Sequence, residues 1–312
     1  MSTDDTSRQT RPAAAAVAAA AVAVVVAEED EVREDDWGLP CDFFLFSQHQ
    51  AEQLWLGGES SRGDNLLQIL CVESLTPLDM MNLSSGVHDA TGHCVWTAAF
   101  LFTAALSTLF VSPRPMKVLE LGSGTGLGGL ALLKYVHNHW ESDMIRHVHI
   151  TLTDADPAAL DLCRRNAILN HFDKECVAVE ALTWGESDNT LLDHSFSVIL
   201  ACDILYDIRM LPAIGKSATQ AARKSSCTFY LSHVPRACYN ASTTPDSPEI
   251  QDLEGYIVHQ ITKDGHWRLD RIWRPQDLPQ SWNPPSRCLN HTSLTEMQDV
   301  GAALFVFTKS KA

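Results

Sequence analysis

Between Met116 and Gly129 the chain reads Met-Lys-Val-Leu-Glu-Leu-Gly-Ser-Gly-Thr-Gly-Leu-Gly-Gly. Glycines at 122, 124, 126, 128 and 129 put five within eight residues. Glycine lets backbone N–H groups come close to a ligand, and a helix opening at Leu130 adds the positive end of its dipole. Apolar strand, glycine turn and helix together describe a nucleotide-type site. Gly124 to Gly129 also matches the dinucleotide fingerprint G-x-G-x-x-G, but that match begins three residues past the strand instead of at its end. Glu120 lies just before the turn. A carboxylate there suits the cationic or polar end of a ligand and would repel a pyrophosphate.

Four further residues fall where strands should end. Asp154 closes a second strand, and its carboxylate can take both hydroxyls of a ribose. Its distance from Gly124 exceeds the roughly 20 residues usual for dinucleotide sites, and the surplus reads as a loop at His137–His147. Trp184 follows a third strand in Leu-Thr-Trp-Gly and can stack on a purine face. Asp203 and Tyr206 follow a fourth strand as Asp-Ile-Leu-Tyr. Each alone has a plainer reading. Asp156 can be the ligand in place of Asp154, or either can only cap a helix. Trp184 can be core. Asp203 can cap the next helix, although Asp207 is better placed for that. Their joint position at successive strand ends is what points to a site, because open α/β sheets bind ligands outside the carboxyl ends of their strands.

The elements that must position these residues are regular from Gly92 onward. Trp96 to Phe110 is an apolar helix stopped by Ser112-Pro113. His147 to Asp154 is a β-branched, alternating strand, and Asp156-Pro157 then opens a helix as N-cap and first residue. Cys176 to Leu182 and Phe196 to Cys202 are strands three and four, the latter apolar on both faces as a central parallel strand should be. Asp207 to Lys224 is a helix and Cys227 to Ser232 a fifth strand. Residues 233–255 are a polar, Pro-containing loop, and His266–Trp273 and Gly301–Thr308 are the last two strands. Strand alternating with helix predicts a parallel, doubly wound α/β sheet. Upstream, residues 39–90 predict a small strand-rich appendage, with strands at Phe43–Phe46 and Leu66–Leu75. Residues 1–38 read as a disordered low-complexity tail. Its Ala/Val run, Ala13 to Ala27, is too short to span a bilayer.

Composition narrows the partners. A net charge of -16 disfavours nucleic acid and suits a basic peptide or protein. Nine cysteines, with no C-x-x-C pair, favour a reducing compartment and no zinc site. His137, His139, His147 and His149 form two H-x-H pairs, which strand alternation and a polar loop explain without a metal.

With these residues in view, the chain resembles the family-16 seven-β-strand methyltransferases, mostly protein-lysine methyltransferases that use S-adenosyl-L-methionine. The matching pieces are Val95-Trp96, Leu119 to Gly126, Thr153-Asp154, Leu182 to Gly185 and Asp203 to Tyr206, in order over about residues 91–230. The glycine block is shared by many methyltransferases; the Trp-Gly and D-x-x-Y pieces are more specific. The resemblance implies a Rossmann-like seven-stranded methyltransferase sheet over residues 91–312. It implies that Trp96, Gly122, Ser123, Gly124, Asp154, Trp184 and Cys202 line the cofactor site, to which the strand position read above adds Glu120, and that Asp203 and Tyr206 face the methyl acceptor. Three positions depart from the pattern: Thr97 stands where Asp or Gly is usual, Cys202 where Ala or Gly is common, and the 233–255 loop has no match. The expected activity is methyl transfer to a protein side chain, foremost a lysine ε-amine. The expected partner is a protein substrate, with no nucleic acid, membrane or metal. The expected state is a monomer in the cytoplasm, with the nucleus as a second location. A histidine or small-amine acceptor, a non-catalytic cofactor-binding module and a nicotinamide enzyme are the alternatives.

Overall fold

The computed structural model describes residues 49–55, 66–72, 91–186, 189–222, 226–235, 252–279 and 293–310, all within one compact unit. The predicted tail at 1–38, the strand predicted at Phe43–Phe46 and most of the 233–255 loop lie outside the described residues.

Seven strands form one sheet: β3 (Met116–Leu121), β4 (Val148–Asp154), β5 (Val177–Ala181), β6 (Val198–Cys202), β7 (Thr228–His233), β8 (Trp267–Trp273) and β9 (Ala303–Lys309). Their spatial order is β5-β4-β3-β6-β7-β9-β8. Neighbours from β5 to β7 pair in parallel, and β9 runs antiparallel to both β7 and β8. The sequence predicts the first five strands within two residues at each end. It does not predict that the last strand inserts between β7 and β8. Side-chain character accounts for that order. The apolar β9 is buried along Ala303–Phe307, whereas β8 carries Arg268, Asp270 and Arg271 and takes the edge.

The chain leaves β3 toward one side and crosses to β6 on the other, so the sheet has its switch point between these two strands. Their carboxyl ends are the glycine turn and Asp203. Helices cover both faces. Leu119 and Leu121 pack with Ile199, Phe229 and Phe305 beneath α5 (Leu211–Ala221) and α6 (Leu253–Thr262). Alternate residues point the other way. That face lies under α1 (Thr97–Leu109), α2 (Leu127–His139) and α4 (Pro157–Leu169), with Phe102 against Tyr230 at 6.0 Å between ring centroids. The loop expected at His137–His147 is instead the last turn of α2 followed by a short helix, α3 (Ser142–Ile145). The histidines there have local partners: His139 stacks on Tyr135, His137 meets Phe172 edge-on, and His149 Nδ1 lies 2.8 Å from the Glu175 carbonyl oxygen.

Upstream, β1 (His49–Trp55) and β2 (Leu66–Val72) form an antiparallel hairpin. The strand predicted at Leu66–Leu75 is therefore present as β2, but its described partner is His49–Trp55. A last helix, α7 (Leu294–Asp299), precedes β9 and opens with a reciprocal cap between Ser293 and Glu296.

Candidate active site

The glycine turn is shaped by hydrogen bonds to its own backbone. Gly122 and Gly124 hold φ of 62° and 52°, the left-handed region that side chains rarely adopt. At Gly124 a Cβ would also fall 2.8 Å from the Gly92 carbonyl oxygen. Ser123 splices the turn to β4: its N–H donates to the Thr153 carbonyl at 2.7 Å, and its hydroxyl accepts the Thr153 N–H at 2.8 Å. That hydroxyl also donates to the Glu120 carbonyl at 3.3 Å. The Ser123 side chain thus builds the turn from beneath, and it is 8% exposed.

Glu120 is placed differently from the expectation of a ligand-facing carboxylate. It alternates with Leu119 and Leu121, so it points under the first turn of α2. There its Oε2 accepts the Gly129 N–H at 2.9 Å. Cys202, at the end of neighbouring β6, shares the same space, and its thiol donates to the Glu120 carboxylate. Burial pushes the Glu120 pKa from 4.5 up to about 7, with nearby Asp154 adding to the rise and hydrogen bonds from Gly129, Cys202 and Ser123 opposing it. Burial, then the Glu120 charge, pushes the Cys202 thiol well above its ordinary range, so this cysteine is a packing thiol and not a nucleophile.

The other expected residues gather around the turn. Asp154 Oδ2 accepts the Gly124 N–H and its Oδ1 accepts the Asp156 N–H, each at 3.0 Å. Burial raises its pKa, and those two donors oppose the rise. Its two oxygens are held in place with lone pairs to spare. Asp156 is the N-cap of α4, accepting from the Ala158 N–H, so of the two carboxylates it is the one that caps the helix. The Trp184 indole lies over Gly122, where a Cβ would fall 2.6 Å from its Cζ2 and 3.0 Å from Ile204 Cγ2. Gly185 anchors that indole by donating its N–H to the buried Ser217 hydroxyl of α5 at 2.9 Å.

Across the turn runs the segment 91–96. Its Gly92 touches Gly124, and Trp96 folds back so that Nε1 donates to the Thr91 carbonyl at 2.8 Å. His93 Nε2 lies 3.2 Å from Asp156 Oδ2. Asp203 ends β6 with φ 59° and is 5% exposed. It does not cap the next helix; its Oδ2 accepts the Ala98 N–H of α1 at 3.0 Å. Asp207 caps the short 3-10 turn Ile208–Met210. Tyr206, 39% exposed, stands in the turn between Asp203 and that cap.

Three residues of the site carry no obvious mark in the sequence. Cys163 of α4 donates its thiol to the Gly124 carbonyl at 3.0 Å. Asn166, fully buried on the same helix, donates to the Thr125 carbonyl at 2.8 Å. The same amide exchanges hydrogen bonds with both the N–H and the carbonyl of Leu70 in β2. One turn later Asn170 does likewise with Gln68. Two asparagines at i and i+4 act here as a third strand for the hairpin. Their spacing on an otherwise apolar helix face is the available signal, since a buried amide needs partners. Gly92 is legible only as the start of the regular region.

The arrangement is a glycine turn at the switch point, with the Asp154 carboxylate hydrogen-bonded to it, an indole seated on it, and Asp203 and Tyr206 following the strand on the other side of the switch point. It fits an adenosine-type cofactor with a cationic centre. Comparison with known proteins agrees in kind. Protein N-lysine methyltransferase METTL21A of Danio rerio is 30% identical over 122 residues, 38% of this chain and 50% of that protein. Protein N-terminal and lysine N-methyltransferase EFM7 of Cryptococcus neoformans is 28% identical over 154 residues, 46% and 48% of the two chains. Protein-lysine N-methyltransferase EFM3 of Chaetomium thermophilum is 26% identical over 147 residues, 45% and 41%. The chain spans about half the length of the curated relatives it matches. A family described as lysine methyltransferase matches residues 77–243, more than half of the sequence and all of the site described above. This chain belongs to that lysine methyltransferase family.

Proposed function

We propose that this protein transfers a methyl group from S-adenosyl-L-methionine to the ε-amine of a lysine in another protein. The observation that carries the reading is the convergence of Gly122–Gly126, Asp154, Trp184 and Asp203 on one end of the sheet, in a chain of this family. Gly122, Gly124, Asp154, Trp184 and the 91–96 segment would hold the cofactor. The fit rests on a turn without room for side chains, an indole seated on that turn, and a fixed carboxylate at the next strand end. When bound, the cofactor supplies an electrophilic methyl on a sulfonium.

What the chain's own residues contribute is orientation and charge. In-line displacement asks mainly that donor and acceptor be held together, and good positioning replaces about 7–11 kcal/mol of barrier in well-oriented systems. The attacking amine must be neutral. The net charge of -16 draws a lysine ammonium toward the protein. A cationic sulfonium nearby lowers that ammonium's pKa, so its proton can leave to water. Tyr206, partly exposed at the rim, can hydrogen-bond the amine and aim its lone pair. No residue needs to act as an obligate base. Free thiols at Cys163, Cys176, Cys202 and Cys227 support a reducing compartment, and we place the protein in the cytoplasm.

The test is transfer of a radiolabelled methyl group to proteins of a cell lysate, followed by acid hydrolysis of the labelled product. The reading expects label in protein and recovery as methyl-lysine. Label recovered as methyl-histidine or only in small molecules would overturn it.

A further inference from the structure

Asp203 opens the D-x-x-Y pair that the family resemblance sets beside the acceptor, and its Oδ2 is hydrogen-bonded to helix α1. The N-cap of helix α1 is Trp96, whose side chain makes no capping hydrogen bond. The second N–H of the helix, at Ala98, is fully buried and donates to Asp203 Oδ2 at 3.0 Å. That is N-cap geometry, delivered from a residue 105 positions away. A carboxylate is well suited to the task, because the positive end of the helix dipole favours a negative charge there. Asp203 also holds a positive φ of 59°, a conformation that costs a non-glycine residue on the order of 1–3 kcal/mol and persists where the surroundings enforce it. The strand end is thus bent to aim this side chain at α1.

The segment held in this way crosses the cofactor turn. Gly92 lies on Gly124, and a Cβ at Gly92 would stand 3.9 Å from Asp154 Oδ2. Near the start of the segment His93 Nε2 lies 3.2 Å from Oδ2 of Asp156, the N-cap of α4. At its end the segment is held by Asp203. We propose that Asp203 is a positioning residue: a remote N-cap that fixes the 91–97 segment over the glycine turn and so completes the cofactor site from the acceptor side. This deepens the proposed function and rests on it, because the ligand assigned to the turn is the cofactor of that reaction. The same cap links the two substrates. It couples the wall shared by cofactor and acceptor to the strand end on which Tyr206 stands.

The experiment compares wild type, Asp203→Ala and Asp203→Asn. Binding of S-adenosylhomocysteine is measured by calorimetry, and amide hydrogen exchange is followed over residues 91–100 without ligand. Asparagine keeps an oxygen that can accept the Ala98 N–H but removes the charge; alanine removes both. A lost cap opens the segment part of the time and lowers apparent affinity by the fraction still closed, so the alanine variant should bind about 3–10-fold more weakly. Exchange at Ala98 and Ala99 should accelerate in that variant. The asparagine variant should recover most of both properties, a rescue that simple removal of an acceptor-binding carboxylate would not give. Affinity in the alanine variant within about twofold of wild type, with unchanged exchange at Ala98, overturns the proposal and leaves Asp203 acting on the acceptor. If wild type itself takes up no S-adenosylhomocysteine, the proposed function fails, while exchange at Ala98 still decides whether Asp203 is the cap. Poor folding of the alanine variant does not block the test, since exchange in the asparagine variant must then stay at the wild-type rate.

Discussion

Replacing Glu120 with glutamine probes the carboxyl beneath the glycine turn. Glu120 is 1% exposed, and burial lifts its pKa from 4.5 to about 7. In the unfolded chain the group returns to its ordinary value. Below pH 4.5 both states hold the proton and the group adds no pH dependence. Between 4.5 and about 7 only the folded state holds it, so stability falls as pH rises. Above about 7 both states are ionised, and the folded protein bears the full penalty of a charge in its core. A tenfold difference in proton affinity between the folded and unfolded states is worth about 1.4 kcal/mol, so this one group withdraws ~2–3 kcal/mol of stability between about pH 5 and about pH 8.

Glutamine has no such titration. Its amide oxygen still accepts the Gly129 N–H, and its volume matches. Relative to wild type, the variant should therefore gain the same ~2–3 kcal/mol on going from the lower to the higher pH. Titrating groups that do not interact with Glu120 cancel in the comparison, because they are common to both proteins. Urea unfolding of both proteins at the two pH values, at one ionic strength, reads this difference directly. A stability difference that stays constant across the interval would refute the reasoning, and so would one of opposite sign.

Three further substitutions test the site and the hairpin beside it. Asn166→Ala leaves the Thr125 carbonyl and both Leu70 backbone groups without their amide, so we expect ~2–4 kcal/mol lost in urea unfolding together with weaker S-adenosylhomocysteine binding. Asn170→Ala, which touches the hairpin but not the glycine turn, should lower stability alone. Gly122→Ala places a methyl 2.6 Å from Trp184 Cζ2 at a left-handed φ of 62°, so the indole must leave its seat. Calorimetry should show S-adenosylhomocysteine affinity down by about tenfold or more, which a displaced stacking partner and the added backbone strain together supply.

What the sequence makes legible is local. A short apolar run, five glycines and a helix identify β3, the turn and α2, because each signal lies within a few residues of the next. Asp156-Pro157 marks the start of α4 for the same reason. Features decided by tertiary contact are not legible. HQAEQLW in β1 carries little β-branched or aromatic character, and it becomes a strand by pairing with β2. Helix α6 is hidden because it opens inside the polar 233–255 stretch, which reads as one loop. Yet Asp252 supplies a cap, and Ile257 and Ile261 recur at four residues on its buried side. The Ser293–Glu296 capping box before α7 is an equally local signal. For Asp203 the type and place are visible, but its partner on α1 is not, since no local pattern relates residues 105 apart.

The way each part of the site is finished gives a common reason for these limits. The Thr125 carbonyl is finished by Asn166, the Gly185 N–H by Ser217 and the Ala98 N–H by Asp203. In each case a backbone group left over by a turn or helix end meets a side chain from another element. Backbone groups buried at turns cannot stay unpaired, and water is poorly placed to serve them beneath a ligand. The glycine motif specifies a bend that can approach a cofactor. It does not hold that bend in one shape. Shape comes from α4, α5 and β6, whose contributing residues are short polar side chains on apolar faces. Buried Asn, Ser and Asp at such positions therefore carry information about a binding site even when they never touch its ligand. In this fold the hairpin β1–β2 joins the same network through Asn166, whose one amide serves both Leu70 and the Thr125 carbonyl of the glycine turn.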